Sequence, residues 1–256
     1  MELAPGTLEA LGLTTVRVGT AVLASPLLGF GYGFSGMKIA LVAVLSFVIF
    51  AAFGEPLPFQ PDGPTFAFLA LREMLIGFFL GFIFQATLLS VQMGGELIGN
   101  EMGMFMARQV DPDTGIGVAI VSKVYENFFL LALLSLNGHH MIVRAMGDSL
   151  AHAPIGVAQP TGSLGEVATR LVGQMFGAGI AFAAPVMIFL MLTSLLIGLL
   201  SRAVPQLNIM ELSFTLRIIL ALVAMYLFAP LLETAMSQLH EAFSRWLGTA
   251  LSALGA

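Results

Sequence analysis

The chain has 256 residues, of which 58% are hydrophobic and 10% are charged, and its mean hydropathy is +0.96. Because ordinary soluble domains carry about 25% charged residues, this composition indicates an integral membrane protein. The net charge of −5 argues against a nucleic-acid partner, and the absence of cysteine excludes disulfide bonds and thiolate metal sites.

Apolar runs long enough, or nearly so, to cross a bilayer occur throughout the chain, since a crossing takes about 20 helical residues. They lie at 8–28, 37–53, 66–91, 116–136, 171–200 and 214–232. The fifth run contains Pro185, and the fourth contains Lys123 and Glu126. Turn-forming patches separate the runs, and the last patch, 137–170, is longer and more polar. No linker divides the chain, so we expect one membrane domain over residues 1–256.

The positive charges of the loops barely favour one orientation. With six crossings and an outside N-terminus, four Lys and Arg residues collect on one side and three on the other. So weak a bias leaves two possibilities open. Either the plain six-span topology is wrong, or the protein is buried among partner subunits.

Residues 233–254 are predicted to form an amphipathic helix. Apolar residues recur there at helical spacing, at Met236, Leu239, Phe243, Leu247 and Leu251. We expect such a helix to lie at an interface or against a partner.

The stretch QMGGELIGNEMGMFM at residues 92–106 combines glycine, polar residues and methionine. Residues four apart lie about 40° from each other around a helix, so Gly95, Gly99 and Gly103 form one row. If the helix is continuous, Gly77 and Gly81 lie on the same face and form its first half. A polar row runs beside it and consists of Gln92, Glu96 and Asn100. A glycine face serves as a close helix–helix seam, whereas a polar face can line a path, and both interpretations stay open.

The helix that carries these rows is unusually long. A helix over 66–104 would measure about 58 Å, which is about twice the hydrocarbon thickness of a bilayer. Gly94 and Gly95 are candidates for a bend or break in it. A simple crossing is therefore not expected here.

A cluster of methionines and a phenylalanine ends this helix, before a polar turn. Flexible thioether side chains suit a surface that adapts to many shapes, although a single Met more often fills a gap in a core. We interpret the segment as a gate whose residues are Met102, Met104, Phe105, Met106, Asp111 and Pro112.

The sequence contains stretches that resemble enzyme motifs, but each of them lacks a required residue or structural context. The GYGFSG stretch at 31–36 follows no strand, and HEAFS at 240–244 lacks the second histidine of a zinc-protease motif. His139 and His140 have no third metal ligand in register. We expect no catalytic site, no metal and no cofactor.

Three stretches, in this order, resemble the FliR family, the export-gate subunits of flagellar type III secretion. They are GGELIGNEMGMFMARQVDP, LLALLSLNGHHMIV and AAPVMIFLMLTSLLIGLLSRAVPQLNIMELSFTLRI. The residues that match the family motifs outside the gate include Asn137, Gly138, His139, Pro185, Arg202, Pro205, Gln206 and Asn208. Departures such as Asn100 and Glu101 add polarity near the gate.

The resemblance implies an all-α integral membrane protein of long, bent helical hairpins, like a FliP-type and a FliQ-type subunit fused in one chain. It implies FliP-like, FliQ-like, FlhB-like and FlhA-like partners, membrane lipid, and unfolded export substrates. The expected location is the bacterial inner membrane, in the flagellar basal body. Residues 103–117 would form the pore plug, and the protein would not be an enzyme.

Other functions stay open beside this one. An injectisome export-gate subunit would share the same motifs. A secondary transporter would use Glu96, Glu101, Lys123 and Glu126 as ion-coupling groups. A pure scaffold would use the polar face only to organise packing.

Overall fold

The structure is a computed structural model that describes residues 5–25, 35–104, 108–110, 117–156, 163–203 and 209–254. Its helices are α1 (Thr7–Ala24), α2 (Ser35–Phe53), α3 (Gly63–Glu101), α4 (Ile120–Ser135), α5 (Gly138–His152), α6 (Ser163–Ala203), α7 (Ile209–Leu227) and α8 (Ala229–Leu254). The prediction of an all-α membrane protein is confirmed. The described residues add one short antiparallel ribbon, which consists of β1 (Arg108–Val110) and β2 (Gly117–Ala119).

Fewer helices can cross a membrane than the sequence has apolar runs. By length and composition α1, α2, α3 and α6 qualify within the described residues, and α4 with α5 makes a fifth if this pair, bent by 70°, is one span. The described apolar part of α7, Ser213–Leu227, is shorter. A plain six-span topology is therefore not supported.

The chain packs as two compact units. Unit 1 comprises Met1–Ala86, Leu133–Val172 and Glu241–Ala256, and unit 2 comprises Thr87–Ala132 and Gly173–His240. The long helices α3, α6 and α8 each contribute residues to both units. The division into two compact units does not test the expectation of one membrane domain over 1–256, which stays a prediction.

In unit 1, α1 packs on α2, and a core forms around Ala10, Leu13, Leu57 and Leu69. The end of α8 joins this unit through Phe243, whose ring meets that of Phe84 edge-on with centroids 5.5 Å apart.

The apolar face of α8 is covered by the chain itself. Its five predicted apolar positions are all buried, whereas Gln238, Glu241, Arg245 and Thr249 are exposed. The amphipathic pattern thus marks a face that packs within the chain, and a position of α8 at an interface or against a partner stays a prediction.

In unit 2, α3 and α4 both pack on α6. A side chain at Gly179 would meet the Ser90 carbonyl oxygen at 2.5 Å, so α3 and α6 approach backbone to backbone. The Tyr125 ring of α4 packs edge-on against Phe182, with centroids 5.1 Å apart. Pro185 lies inside α6, which continues through it to Ala203.

Helix α5 occupies part of the stretch that the sequence pattern assigned to turns, so that assignment was wrong for residues 138–152. Asn137 adopts a left-handed backbone with φ 57° and turns the chain from α4 into α5. Gly138 is needed at the turn because a Cβ there would lie 2.5 Å from the Leu133 side chain. The Asn-Gly-His motif is therefore a sharp helix–helix corner.

Candidate functional site

The first half of the glycine face of α3 lies against α1. A Cβ on Gly77 would collide with the Arg17 carbonyl oxygen and the Thr20 hydroxyl. A Cβ on Gly81 would stand 2.6 Å from that of Ala24. Since only glycine allows this approach, α1 sits directly on the α3 backbone.

The second half of the glycine face receives β2 and the start of α4. A Cβ on Gly95 would lie 2.5 Å from the Ser122 Cα, and one on Gly99 would lie 2.8 Å from the Ala119 Cβ. Helix α3 runs through Gly94 and Gly95 without a break. The glycines therefore make a packing seam within the chain along most of the helix.

The polar row of α3 binds α4 at the same seam. The Gln92 side-chain amide donates to Glu126 Oε2 at 2.9 Å, and the Ser122 hydroxyl donates to the Gln92 carbonyl oxygen at 2.9 Å. Lys123 Nζ also lies 2.9 Å from Glu126 Oε2. These four residues form a polar cluster in which one carboxylate receives both a cation and an amide.

Glu96 holds the end of the ribbon. Its Oε1 accepts a hydrogen bond of 2.6 Å from the backbone N–H of Ala119, the last residue of β2. Ala119 immediately precedes Ile120, where α4 begins. A carboxylate at a helix N-terminus gains about 0.3–1 kcal/mol from the helix dipole, and a charged acceptor strengthens the hydrogen bond. Glu96 thus ties both β2 and α4 to α3.

The predicted plug segment, 103–117, is fixed at both ends. Gly103 ends α3 with φ 77°, a left-handed conformation that glycine adopts without strain. Met102 is buried and Met104 is half-buried. At the other end β1 pairs with β2 in the register Arg108–Ala119, Gln109–Val118 and Val110–Gly117. Four predicted gate residues, Phe105, Met106, Asp111 and Pro112, lie outside the described residues.

Other predicted residues lie apart from this seam. Asn100, at the end of the polar row, is exposed, and Glu101 is half-buried. His139 is half-buried, with its ring centroid 4.2 Å from that of His140. Arg202 is exposed, whereas Pro205, Gln206 and Asn208 lie outside the described residues. Within the described residues no group of three or more His, Asp and Glu side chains could hold a metal.

A buried charge cluster in unit 1 escaped the sequence reasoning. Arg17 Nε donates to Glu73 Oε2 at 2.6 Å, and the two side chains are 2% and 0% exposed. The Arg17 Nη atoms also donate to the carbonyl oxygens of Ser149 and Ala153, each at 2.8 Å. Arg17 therefore caps the C-terminus of α5 and joins α1, α3 and α5. The sequence did contain a signal for this pair, namely a cation and an anion in separate apolar runs. Charged groups inside membrane proteins usually pair with each other.

Comparison with known proteins decides the family. Residues 8–243 match the family described as bacterial export proteins, family 1. The chain belongs to this family. It is 32% identical to the flagellar biosynthetic protein FliR of Escherichia coli strain K12 over 214 residues, which cover 80% of each chain.

Two further relatives extend the comparison. The flagellar biosynthetic protein FliR of Bacillus subtilis strain 168 is 27% identical over 209 residues, covering 80% of each chain. The surface presentation of antigens protein SpaR of Shigella flexneri is 26% identical over 160 residues, covering 62% of each chain. The resemblance of this bacterial export protein to the FliR family is confirmed.

Proposed function

We propose that this subunit of the flagellar type III export apparatus forms part of the channel for unfolded export substrates and carries its plug at residues 103–117. The protein would act without catalysis of its own. Energy for export would come from other components.

Membership in a flagellar apparatus is supported by the extent of the similarity to FliR proteins. The matches from Escherichia coli and Bacillus subtilis cover 80% of each chain, whereas the SpaR match covers 62%. An injectisome subunit is therefore the second candidate. The similarity to SpaR supports this candidate, but it covers a shorter part of the chain.

The observation that carries the plug proposal is the anchoring of the ribbon on α3. The Glu96 carboxylate holds Ala119, and the strand register then fixes β1 beside β2. A Met-rich segment held at both ends by a rigid helix can keep one position and still present adaptable side chains. This combination suits a seal around a variable polypeptide.

The apolar exterior supports a place in a membrane complex. Large side chains on α6 and α7 are exposed, among them Leu195 (65%), Leu199 (67%) and Tyr226 (81%). Surfaces of this kind require lipid or other subunits. We propose FliP-like, FliQ-like, FlhB-like and FlhA-like neighbours in the inner membrane, within the flagellar basal body. The likeness to a FliP-type and a FliQ-type subunit joined in one chain stays a prediction.

The transporter and scaffold alternatives gain less support. In this chain Glu96 binds a backbone N–H, and Glu126 binds Lys123 and Gln92, so these carboxylates have roles in packing. The glycine seam itself agrees with the scaffold function, which would leave residues 103–117 without a role in sealing. The scaffold and plug functions therefore predict different ion conductance when residues 104–106 are changed.

The test is a triple variant, Met104→Ala with Phe105→Ala and Met106→Ala, made together so that no neighbour substitutes for another. We expect the export complex to assemble and the resting membrane to conduct ions at least tenfold faster. Phe176→Ala, at a phenylalanine of α6 that is 54% exposed, is the matched control and should leave conductance unchanged.

Native mass of the gently solubilised complex must accompany the conductance measurement. A large heteromeric complex with unchanged conductance in the triple variant would contradict the plug. Recovery of the unmodified protein as a small oligomer without other subunits would contradict the export function and favour a transporter.

A further inference from the structure

Arg72 of α3 is a second, largely buried cation beside the Arg17–Glu73 pair. Its side chain is 11% exposed, and its Nη2 lies 3.7 Å from Glu73 Oε1, which is too far for a hydrogen bond. In the part of the chain that the structure describes, Nε and Nη2 of Arg72 have no hydrogen-bond acceptor, and Glu73 Oε1 has no donor. The other oxygen of this carboxylate, Oε2, accepts from Arg17 at 2.6 Å. Arg72 therefore lies against a carboxylate that already has a cation.

The charges of this cluster do not balance. Two guanidinium groups share the one carboxylate of Glu73, and among the described residues neither of them pairs with another acid. Charged groups in apolar surroundings almost always pair, because the desolvation of a lone ion is costly. The cluster therefore lacks one anion.

Arg72 lies at the border between the buried and the exposed face of α3. On one side of Arg72 the helix is buried within the chain, at Leu69, Ile76 and Leu80. The other side is an apolar stripe of large exposed side chains, which consists of Phe68, Leu71, Leu75 and Phe78. Phe68 lies four residues before Arg72 and Leu75 lies three residues after it, so both are its neighbours on the helix surface. An anion can therefore reach Arg72 from the side of the apolar stripe.

The surroundings of Arg72 favour a protein carboxylate over a lipid phosphate. Arg72 lies about 14 Å beyond Gly63, where α3 begins, and residues 63–71 and 74–84 carry no charge. An arginine reaches a lipid headgroup from such a position by extending its side chain, but two of the three guanidinium nitrogens of Arg72 are buried. A carboxylate on an apolar helix can instead approach Arg72 and accept two hydrogen bonds from it.

We propose that Arg72 and the apolar stripe form a docking surface for an apolar helix of a neighbouring subunit, and that this helix carries an Asp or Glu that pairs with Arg72. The inference rests on the proposed function, which places the chain in a heteromeric membrane complex. It assigns one contact of that complex and adds an ion pair that this chain cannot form by itself.

A photoreactive amino acid at Leu75 identifies what covers the apolar stripe. Leu75 is 55% exposed and lies about one helical turn from Arg72. We expect p-benzoylphenylalanine at this position, in complexes assembled in native membranes, to crosslink to another subunit within one helical turn of an Asp or Glu. Adducts with lipid alone would overturn the proposal. A crosslink to a second copy of this chain, or to a segment without an acid, would overturn it as well.

Arg72→Glu tests the ion pair. We expect this change to lower the yield of the Leu75 crosslink at least tenfold, because two carboxylates would then face each other. Changing the acid of the crosslinked segment to Lys should restore the yield. Arg170→Glu is the control, since Arg170 is a cation of α6 that is 71% exposed, and it should leave the yield unchanged. An unchanged yield with Arg72→Glu, or no restoration by the reversed partner, would contradict the ion pair.

Two milder variants keep the inference testable if Arg72→Glu does not accumulate. Arg72→Met leaves the hydrogen bond between Arg17 and Glu73 in place, so the protein should accumulate normally by immunoblot while the crosslink yield per protein falls at least threefold. Arg72→Lys keeps the cation and should keep the yield within twofold. Equal yields for Arg72→Met and the unmodified protein would overturn the proposal. Loss of the protein itself in Arg72→Met would also overturn it, because Arg72 would then act within the chain.

Failure of this inference is distinguishable from failure of the proposed function. If the unmodified protein is recovered in a large heteromeric complex but gives only lipid adducts at Leu75, the docking surface is rejected and the export-apparatus subunit stands. If it is recovered without other subunits, both are rejected.

Discussion

The two halves of α3 both pack closely on a neighbouring segment beside buried charges, but they bury these charges to different degrees. Each half places glycines against a neighbouring segment and buries a carboxylate beside them. In the first half Glu73 is 0% exposed and is held by Arg17, which is 2% exposed. In the second half Glu126 is 8% exposed and its partner Lys123 is 25% exposed.

The two halves differ in how completely their charged side chains are buried from solvent. Arg17 uses its guanidinium on Glu73 and on two carbonyl oxygens at the end of α5, so it fixes three helices at once. Lys123 and Glu126 lie one helical turn apart on α4 and reach α3 through Gln92. Separating the charged partners should therefore cost more free energy in the first half of α3 than in the second half.

The largest expected effect is that of Arg17→Met. It removes the cation that donates to the Glu73 carboxylate and leaves only Arg72, whose Nη2 lies 3.7 Å from Glu73 Oε1. Breaking a buried pair costs about 3–5 kcal/mol. We expect the protein to disappear from the membrane fraction, measured by immunoblot, and the purified remainder to melt at a much lower temperature.

The control for Arg17→Met is Arg170→Met on α6. Arg170 pairs with Glu166 at 3.1 Å, but both side chains are more than 70% exposed, at 71% and 76%. Exposed pairs contribute about 0–1 kcal/mol, so this variant should accumulate normally. Equal accumulation of both variants would show that the first half of α3 does not depend on its buried pair.

A smaller effect is expected of Lys123→Met in the second half. Glu126 keeps the Gln92 amide as a donor, and its surroundings are less completely buried, so the loss should be about 1 kcal/mol. Thermal unfolding of the solubilised complex measures it. A loss as large as that of Arg17→Met would remove the distinction between the two halves.

The glycine face was predictable because its signal is local. Glycines four residues apart give one face of a helix whatever lies against it, and Gly77, Gly81, Gly95 and Gly99 all make close contacts. The sequence did not decide between a seam and a path lining, since that depends on which segment arrives. Only the positions of α1 and of the start of α4 answer it.

Helix α5 was not predicted because its stretch contains no apolar run long enough for a membrane span. Its buried residues Ile142, Ala145, Met146, Ser149 and Leu150 follow the spacing i, i+3, i+4, i+7, i+8 of an amphipathic helix. The signal was therefore present in a stretch too polar to count as a membrane span. The spacing of these residues alone predicts an amphipathic helix.

The ribbon and the Arg17–Glu73 pair were beyond local sequence reasoning. Each strand of the ribbon has three residues, too few for an alternating pattern. Arg17 and Glu73 lie 56 positions apart, so their pairing depends on how α1 meets α3. Both features depend on tertiary packing and not on a local sequence pattern.

The most direct measurement of the central claim places a single cysteine at Met104 and stalls a cysteine-bearing export substrate in the channel. Leu222→Cys, at a residue of α7 that is 57% exposed, is the control, and both variants must still export. A disulfide to the substrate at position 104 and none at 222 is the predicted result. No disulfide at 104, in a variant that exports and stalls normally, would contradict the plug and leave the Met-rich stretch as part of a packing seam.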